Sequence, residues 1–224
     1  MSQIQTPRTA IITLTFKARA SCADLACRNV CKQTLQPDLW VVCADESAQC
    51  AQAYDSLTRK PDLYLTCKAE TIGEKRNFAI SRCLADIIAF QDDDDVYNAL
   101  YLETAVHELA TRQVGLVGCC DMIIVYPALD FKACYVKGKY THEATVCCTR
   151  DHWEQYLFEH TSRGEGRQMC AGSYWNQLDI RKAMICVAHG SNTFSKDQLL
   201  QDSNQVVLPD ALKAALKQEL MLVI

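Results

Sequence analysis

The segment Asp86-Ile87-Ile88-Ala89-Phe90-Gln91-Asp92-Asp93-Asp94-Asp95 decides the fold. Its apolar first half has the length and side chains of a β-strand buried in a sheet. Four consecutive carboxylates close it. Like charges packed this closely repel and raise one another's pKa unless a cation sits among them. A hard divalent cation is the usual solution, because it takes oxygen ligands and in turn holds phosphates. A solvated acidic turn ahead of a helix is the alternative, since Asp is favoured at an N-cap and in the first turn.

Strands and helices alternate on the N-terminal side of this segment. Thr9 to Phe16 is a β-branched run that reads as a strand. Ser21 and Asp24 resemble a capping box opening a helix from Cys22 to Thr34, ended near Pro37. Leu39 to Cys43 is a second strand, followed by a helix from Ser47 to Leu57, and Leu63 to Cys67 is a third. A helix over Glu74 to Leu84 leads into the quoted strand, and helical spacing returns over Asn98 to Arg112. This βαβαβαβ order predicts a parallel sheet covered on both faces.

On the C-terminal side, Val114 to Tyr126 is strand-rich. Phe131 to Val136 and Tyr140 to Cys148, joined through Lys137-Gly138-Lys139, read as a hairpin. Helices are expected over Asp151 to Glu159 and Ala171 to Leu178, on either side of the glycine-bearing loop Ser162 to Arg167. A strand over Ala183 to Ala188 ends at His189-Gly190-Ser191-Asn192, and a polar linker follows. From Pro209 to Leu220, a proline start and an apolar face (Leu212, Ala215, Leu216, Leu220) describe a packing helix.

Composition bounds the function. At 224 residues and 49% apolar content the chain suits one domain with a full core. A net charge of −4 and a pI near 5.7 give no global basic surface for nucleic acid or anionic membrane. The apolar runs are too short for a membrane span and no leader pattern is visible, so a soluble, cytoplasmic protein is expected. Fourteen cysteines form no Cys-x-x-Cys pair and fit no zinc spacing. They read as reduced, small apolar residues. Trp153, Tyr156, Tyr174 and Trp175 lie in the second half, at spacings that suit core positions, and receive no role.

In a parallel sheet, ligands bind beyond the carboxyl ends of the strands. Those ends carry Thr15-Phe16-Lys17, Asp45-Glu46-Ser47, Lys68 with Gly73-Glu74-Lys75-Arg76-Asn77, and Asp92 to Asp95. Carboxylates, hydroxyls and a basic pair on one edge suit a metal-bound diphosphate.

These motifs resemble those of family 2 glycosyltransferases of the GT-A fold, from about Thr9 to Tyr101 and more weakly to Asn192. Thr15-Phe16-Lys17-Ala18-Arg19 is similar to the turn after the family's first strand, without its Asn. Lys32-Gln33-Thr34-Leu35-Gln36-Pro37 matches the end of its first helix, and Gly73, Arg76 and Asn77 its Gly-x-x-x-Arg-Asn segment with one residue fewer. Asp92, Asp94 and Asp95 match its Asp-x-Asp-Asp signature. The resemblance implies a single GT-A domain over 1–224: a nucleotide-sugar half (9–113), an acceptor half (114–192), then a linker and helix (193–224).

The resemblance also implies roles. Thr15, Arg19, Asp45, Lys75, Arg76, Asn77, Asp92 and Asp93 fall on the donor side, with Asp45 reading the base. Asp92, Asp94 and His189 are the implied ligands of Mn²⁺ or Mg²⁺, while a shift of one residue would move the signature to Asp93 and Asp95. The family's catalytic base lies in a Glu-Asp pair, and the nearest match is Gly164-Glu165-Gly166. Glu165 is then the expected base, with Gly166 in place of the Asp. That departure leaves Asp151, Asp179 or another stereochemical course open. The implied activity is sugar transfer from a UDP-, GDP- or similar donor to a hydroxyl acceptor, which is a glycan, small molecule, protein or modified nucleic acid. A non-catalytic sugar-nucleotide or glycan binder and a sugar-phosphate nucleotidyltransferase are the alternatives.

Overall fold

The computed structural model describes residues 6–171, 177–192, 196, 199–200 and 205–220. The first half has the expected parallel core. Strands β1 (Thr9–Thr15), β2 (Leu39–Ala44), β3 (Leu63–Thr66) and β4 (Ile87–Phe90) pair in the order β3-β2-β1-β4, all parallel. Helices α1 (Ala23–Cys31), α2 (Ala48–Asp55) and α3 (Ile72–Arg82) make the crossovers, and α4 (Tyr101–Arg112) follows β4. Side-chain direction alternates along each strand, so the sheet buries both faces. Ile11, Trp40, Val42 and Ala89 pack with residues of α1 and α4, while Ile12, Val41, Ile88 and Phe90 pack with Ala79 and Ile80 of α3.

The second half departs from expectation. No hairpin joins Phe131–Val136 to Tyr140–Cys148. Short strands β5 (Val96–Tyr97), β6 (Leu116–Val117), β7 (Met122–Tyr126), β8 (Lys132–Val136) and β9 (Cys147–Thr149) are shared between two sheets. β8 pairs with β7, whereas β9 enters the main sheet between β4 and β6, antiparallel to both. Cys147 and Cys148 are fully buried there, so the interior slot takes these small apolar side chains out of hairpin register. Helices α5 (Arg150–Gln155) and α6 (Ile180–Ala183) and strand β10 (Met184–Val187) follow. Strand β11 (Gln205–Val206) completes a second sheet in the order β11-β8-β7-β10-β5, and helix α7 spans Asp210–Leu220. Most of the helix expected over Ala171 to Leu178, with Tyr174 and Trp175, lies outside the described residues.

Two helix starts also differ. The Ser21–Asp24 box is absent: a 3₁₀ turn over Lys17–Cys22 feeds α1, and the Ala23 N–H already donates to Ala20 O. The capping box belongs to α3 instead. Thr71 Oγ1 accepts from the Glu74 N–H at 3.3 Å, and Glu74 Oε2 accepts from the Thr71 N–H at 2.9 Å. None of the fourteen cysteines is in a disulfide, and Cys31 alone is exposed. Among the described residues no helix is long and apolar enough to cross a membrane.

Candidate active site

The carboxyl ends of β1 and β4 and the start of α3 meet at a cavity of about 450 Å³, which Asp45 at the end of β2 does not line. Arg19, Arg76, Asp92, Asp94, Asp95 and Glu165 line it.

Burial and charge set the state of the acidic run. Arg19 Nη1 lies 2.6 Å from Asp94 Oδ2 and 3.0 Å from Asp93 Oδ1. Burial opposes the Arg19 charge, but Asp93, Asp94 and Asp92 outweigh it and hold the guanidinium protonated. Asp94 also meets His189 Nε2 at 3.1 Å and Asn192 Nδ2 at 3.2 Å. Burial acts against its charge, yet the His189 contact and Arg19 hold its pKa below the usual carboxylate range. The other three are pushed the opposite way, burial being the largest cause for each. Asp92 is raised against the pull of Arg76, Asp93 well above its ordinary value against Arg19, and Asp95 to about 6 against Lys196.

These residues fit a divalent cation. Arg19, Arg76 and Lys196 supply three fixed positive charges against Asp92, Asp93, Asp94, Asp95 and Glu165. Among the described residues both Asp93 oxygens are buried without a hydrogen bond, the contact to Arg19 being an ion pair. One oxygen from each of Asp92, Asp94 and Asp95 can converge, all within 4.8 Å of one another. A buried carboxylate set short of positive charge is the donor chemistry that Mn²⁺ or Mg²⁺ satisfies. Asp95 does further work: its Oδ1 accepts from the Val187 N–H at 2.8 Å and ties β10 to the end of β4.

His189 reaches this cluster through its turn. The Asn192 side chain accepts from the His189 N–H at 2.7 Å, and Ser191 Oγ lies 2.8 Å from His189 Nδ1. The ring stands beside Asp94 and lines a smaller adjoining pocket of about 130 Å³.

The first turn of α3 places the basic pair. Gly73 must be glycine: a Cβ there would lie 1.8 Å from Glu159 O. That close approach brings the 159–165 loop onto α3 and sets Arg76 Nε 3.2 Å from Glu165 Oε1. Arg76 Nη2 lies 3.6 Å from Asp92 Oδ1, and the guanidinium covers the Phe90 ring at 4.5 Å. Its Nη1 is buried with no hydrogen-bond partner among the described residues.

The other expected donor-side residues are distributed around this centre. Lys75 is buried, donating to Thr15 O at 2.7 Å and Asp45 Oδ1 at 2.6 Å, with its Nζ 4.0 Å from the centre of the Phe16 ring. It therefore braces the ends of β1 and β2 and does not line the cavity. Asp45 keeps 42% of its side chain exposed at the end of β2. Thr15 and Asp93 are fully buried. Asn77 faces away: its Nδ2 donates to Phe158 O at 2.9 Å, and its Oδ1 accepts from Trp153 Nε1 and the Phe158 N–H, both at 3.0 Å. Asp151 is exposed on α5, Asp179 caps α6 through the Arg181 N–H, and neither lines the cavity.

His142, Glu143 and Lys196 line the cavity and escaped the sequence reading. Lys196 lies 3.8 Å from Asp95 Oδ1 and donates to Val187 O at 3.0 Å. The pKa of His142 is lowered to about 4 by burial, then by Lys196, so its imidazole is neutral near pH 7. The pair precedes the buried Thr145 in a polar connection with no periodicity, and Lys196 sits in the polar linker. No local pattern marks any of the three.

The fold defined by this sheet and its strand-end site is the GT-A-like α/β fold of glycosyltransferases. S. aureus TarS 1-349 superposes with a TM-score of 0.61 at 18% identity, over 80% of this chain and 60% of that one. Its complex with UDP-GlcNAc gives 0.61 at 15%, over 83% of this chain and 60% of that one. The mannosyltransferase PcManGT from Pyrobaculum calidifontis, in complex with GDP-Man and Mn²⁺, gives 0.59 at 15%, over 82% of this chain and 57% of that one. The chain thus spans about 60% of the length of the TarS fragment it matches. No protein-family model matches it, and no curated protein sequence does.

Proposed function

We propose that this chain is a metal-dependent glycosyltransferase that moves a sugar from a nucleoside-diphosphate donor to an acceptor hydroxyl. One observation carries the reading: Asp92, Asp94 and Asp95 lie together at the end of β4, beside a buried arginine whose Nη1 has no hydrogen-bond partner among the described residues. The TarS complex with UDP-GlcNAc and the PcManGT complex with GDP-Man and Mn²⁺ support it. Asp92, Asp94 and Asp95, with His189 beside Asp94, would hold a Mn²⁺ or Mg²⁺, which would supply positive charge to the leaving diphosphate.

The chain's own residues do the rest. The free Nη1 of Arg76 is a donor for a phosphate oxygen. Asp45 stands at the end of β2, where an exposed carboxylate accepts hydrogen bonds from a base or ribose. Arg19 helps to keep Asp94 ionised and pairs with both Asp93 and Asp94, fixing the turn in place. In an inverting transfer a cavity carboxylate takes the proton of the acceptor hydroxyl, the new C1–O bond forms, and the C1–O bond to the diphosphate breaks.

Thermal-shift measurements with UDP, GDP, CDP and TDP sugars, with and without Mn²⁺, test the reading. At least one nucleotide sugar is expected to stabilise the protein in a Mn²⁺-dependent way. A ligand at one hundred times its Kd adds about 2.7 kcal/mol. Asp94→Asn, which keeps the volume and removes the charge, is expected to abolish the effect. Absence of metal-dependent stabilisation by every donor would sink the proposal.

A further inference from the structure

The departure at Gly166 has a structural counterpart. A Cβ on Gly166 would stand 2.9 Å from Glu143 Cγ and 3.3 Å from Glu143 Oε1. The space a side chain at 166 would enter is already filled by the side chain of Glu143. Glu143 Oε1 accepts a hydrogen bond from the Gly166 N–H at 3.2 Å, so the two positions are locked together across 23 residues.

We propose that Glu143 is the carboxylate that deprotonates the acceptor, and that Glu165 is a positioning residue for Arg76. This rests on the glycosyltransferase reading of the same cavity.

Four features support the division of labour. First, Glu143 lines the cavity and is partly exposed, whereas Glu165 is 5% exposed. Second, Glu165 Oε1 is engaged by Arg76 Nε at 3.2 Å, an ion pair that ties the carboxylate to the α3 guanidinium. Third, Glu143 holds one oxygen on Gly166, while its Oε2 has no hydrogen bond or ion pair among the described residues. That oxygen is the one left to accept a proton. Fourth, Glu143 opens a braced 3₁₀ turn, Glu143–Thr145. His142 N donates to Cys119 O at 2.8 Å, Cys119 N to Thr145 Oγ1 at 2.8 Å, and Thr145 N to His142 O at 2.9 Å.

Arg76 from α3 and Cys170 from the 162–171 segment lie close enough to feel the Glu143 charge, and His142 precedes it in the cavity wall. His142 is the rival base. The step balances simply. The acceptor O–H proton passes to Glu143 Oε2, the acceptor oxygen bonds to sugar C1, and the nucleoside diphosphate leaves with the electrons of the C1–O bond. With water as acceptor the products are free sugar and nucleoside diphosphate, which gives an assay needing no knowledge of the natural acceptor.

The test follows nucleoside-diphosphate release from UDP-GlcNAc and GDP-Man with Mn²⁺, alongside donor binding by thermal shift. Glu143→Gln keeps an oxygen for the Gly166 N–H and is expected to fold with an unchanged melting midpoint. Its donor binding should match the parent while kcat falls about 100-fold or more, the usual loss for a general base. Glu165→Gln is expected to raise donor KM more than it lowers kcat, because it loosens Arg76. In Glu143→Ala/Gly166→Asp the carboxylate is returned from the neighbouring backbone, and turnover above that of Glu143→Ala is expected. Glu143→Gln turning over within about twofold of the parent, with donor binding intact, overturns the assignment. So does His142→Gln losing turnover where Glu143→Gln does not. Absence of Mn²⁺-dependent donor binding in the parent overturns the glycosyltransferase reading itself, a separate outcome.

Discussion

Arg19 carries a positive charge into the most acidic part of the chain. Its ion pairs to Asp93 and Asp94 answer the repulsion that four adjacent carboxylates create, though only in part. The raised pKa values of Asp92, Asp93 and Asp95 mark the unmet demand for positive charge. His142 makes the converse case. Its folded pKa of about 4 lies below the ordinary 6.5, with burial the main cause. The unfolded chain therefore binds more protons between those values, and this residue's contribution to stability is lost as pH falls from about 6.5 to 4. Urea unfolding across that window should show His142→Gln losing less stability on acidification than the parent. An identical slope in the two proteins would count against the assignment. The Asp run was visible in the sequence because it interrupts an apolar strand. Arg19 was expected among the donor ligands, and its engagement with Asp93 and Asp94 was not, because nothing in a 3₁₀ turn announces which distant carboxylate it faces.

At the scale of elements, α3 is the most exacting part of the site. Its capping box fixes where the first turn begins, and Gly73 lets the 159–165 loop approach until Arg76 meets Glu165. Gly73→Ala puts a methyl into the carbonyl of Glu159. Overpacking of this kind costs about 1–3 kcal/mol. A lower melting midpoint together with weaker nucleotide-sugar binding is the expected result, the second because Arg76 loses its brace. Retention of full donor affinity would show that the brace is dispensable. The strands β1 to β4 were legible, since each is a short apolar run between turn residues. The pairing of β8 and β9 was not. Lys137-Gly138-Lys139 has hairpin chemistry, but a hairpin signal weighs only neighbours in sequence. The slot between β4 and β6 rewards burial of Cys147 and Cys148 more strongly than the turn rewards local pairing.

At the scale of the molecule, two sheets and a terminal helix are held around one cluster. Leu216 and Leu220 of α7 pack with Leu25 of α1, Val125 of β7 and Val187 of β10. Glu219 meets Lys32 at 2.9 Å and receives Arg28 Nη2 on its carbonyl at 2.7 Å. The ion pair is partly exposed and adds little; the buried leucines carry the attachment. Leu216→Ala is expected to cost about 2–5 kcal/mol in chemical denaturation. A loss under about 0.5 kcal/mol, the scale of surface substitutions, would mean that α7 is peripheral.

The sequence alone determined the parallel core and the strand-end edge that carries the acidic run. Those features depend on periodicity, apolar run length and strand direction, which are local or nearly so. Only the tertiary structure decided which charges face one another. It set Arg19 on Asp93 and Asp94, turned Lys75 to Asp45, turned Asn77 away, and filled the space beside Gly166 with Glu143. Those contacts join residues far apart in the chain, and packing geometry selects them among many partners of equal charge and similar reach.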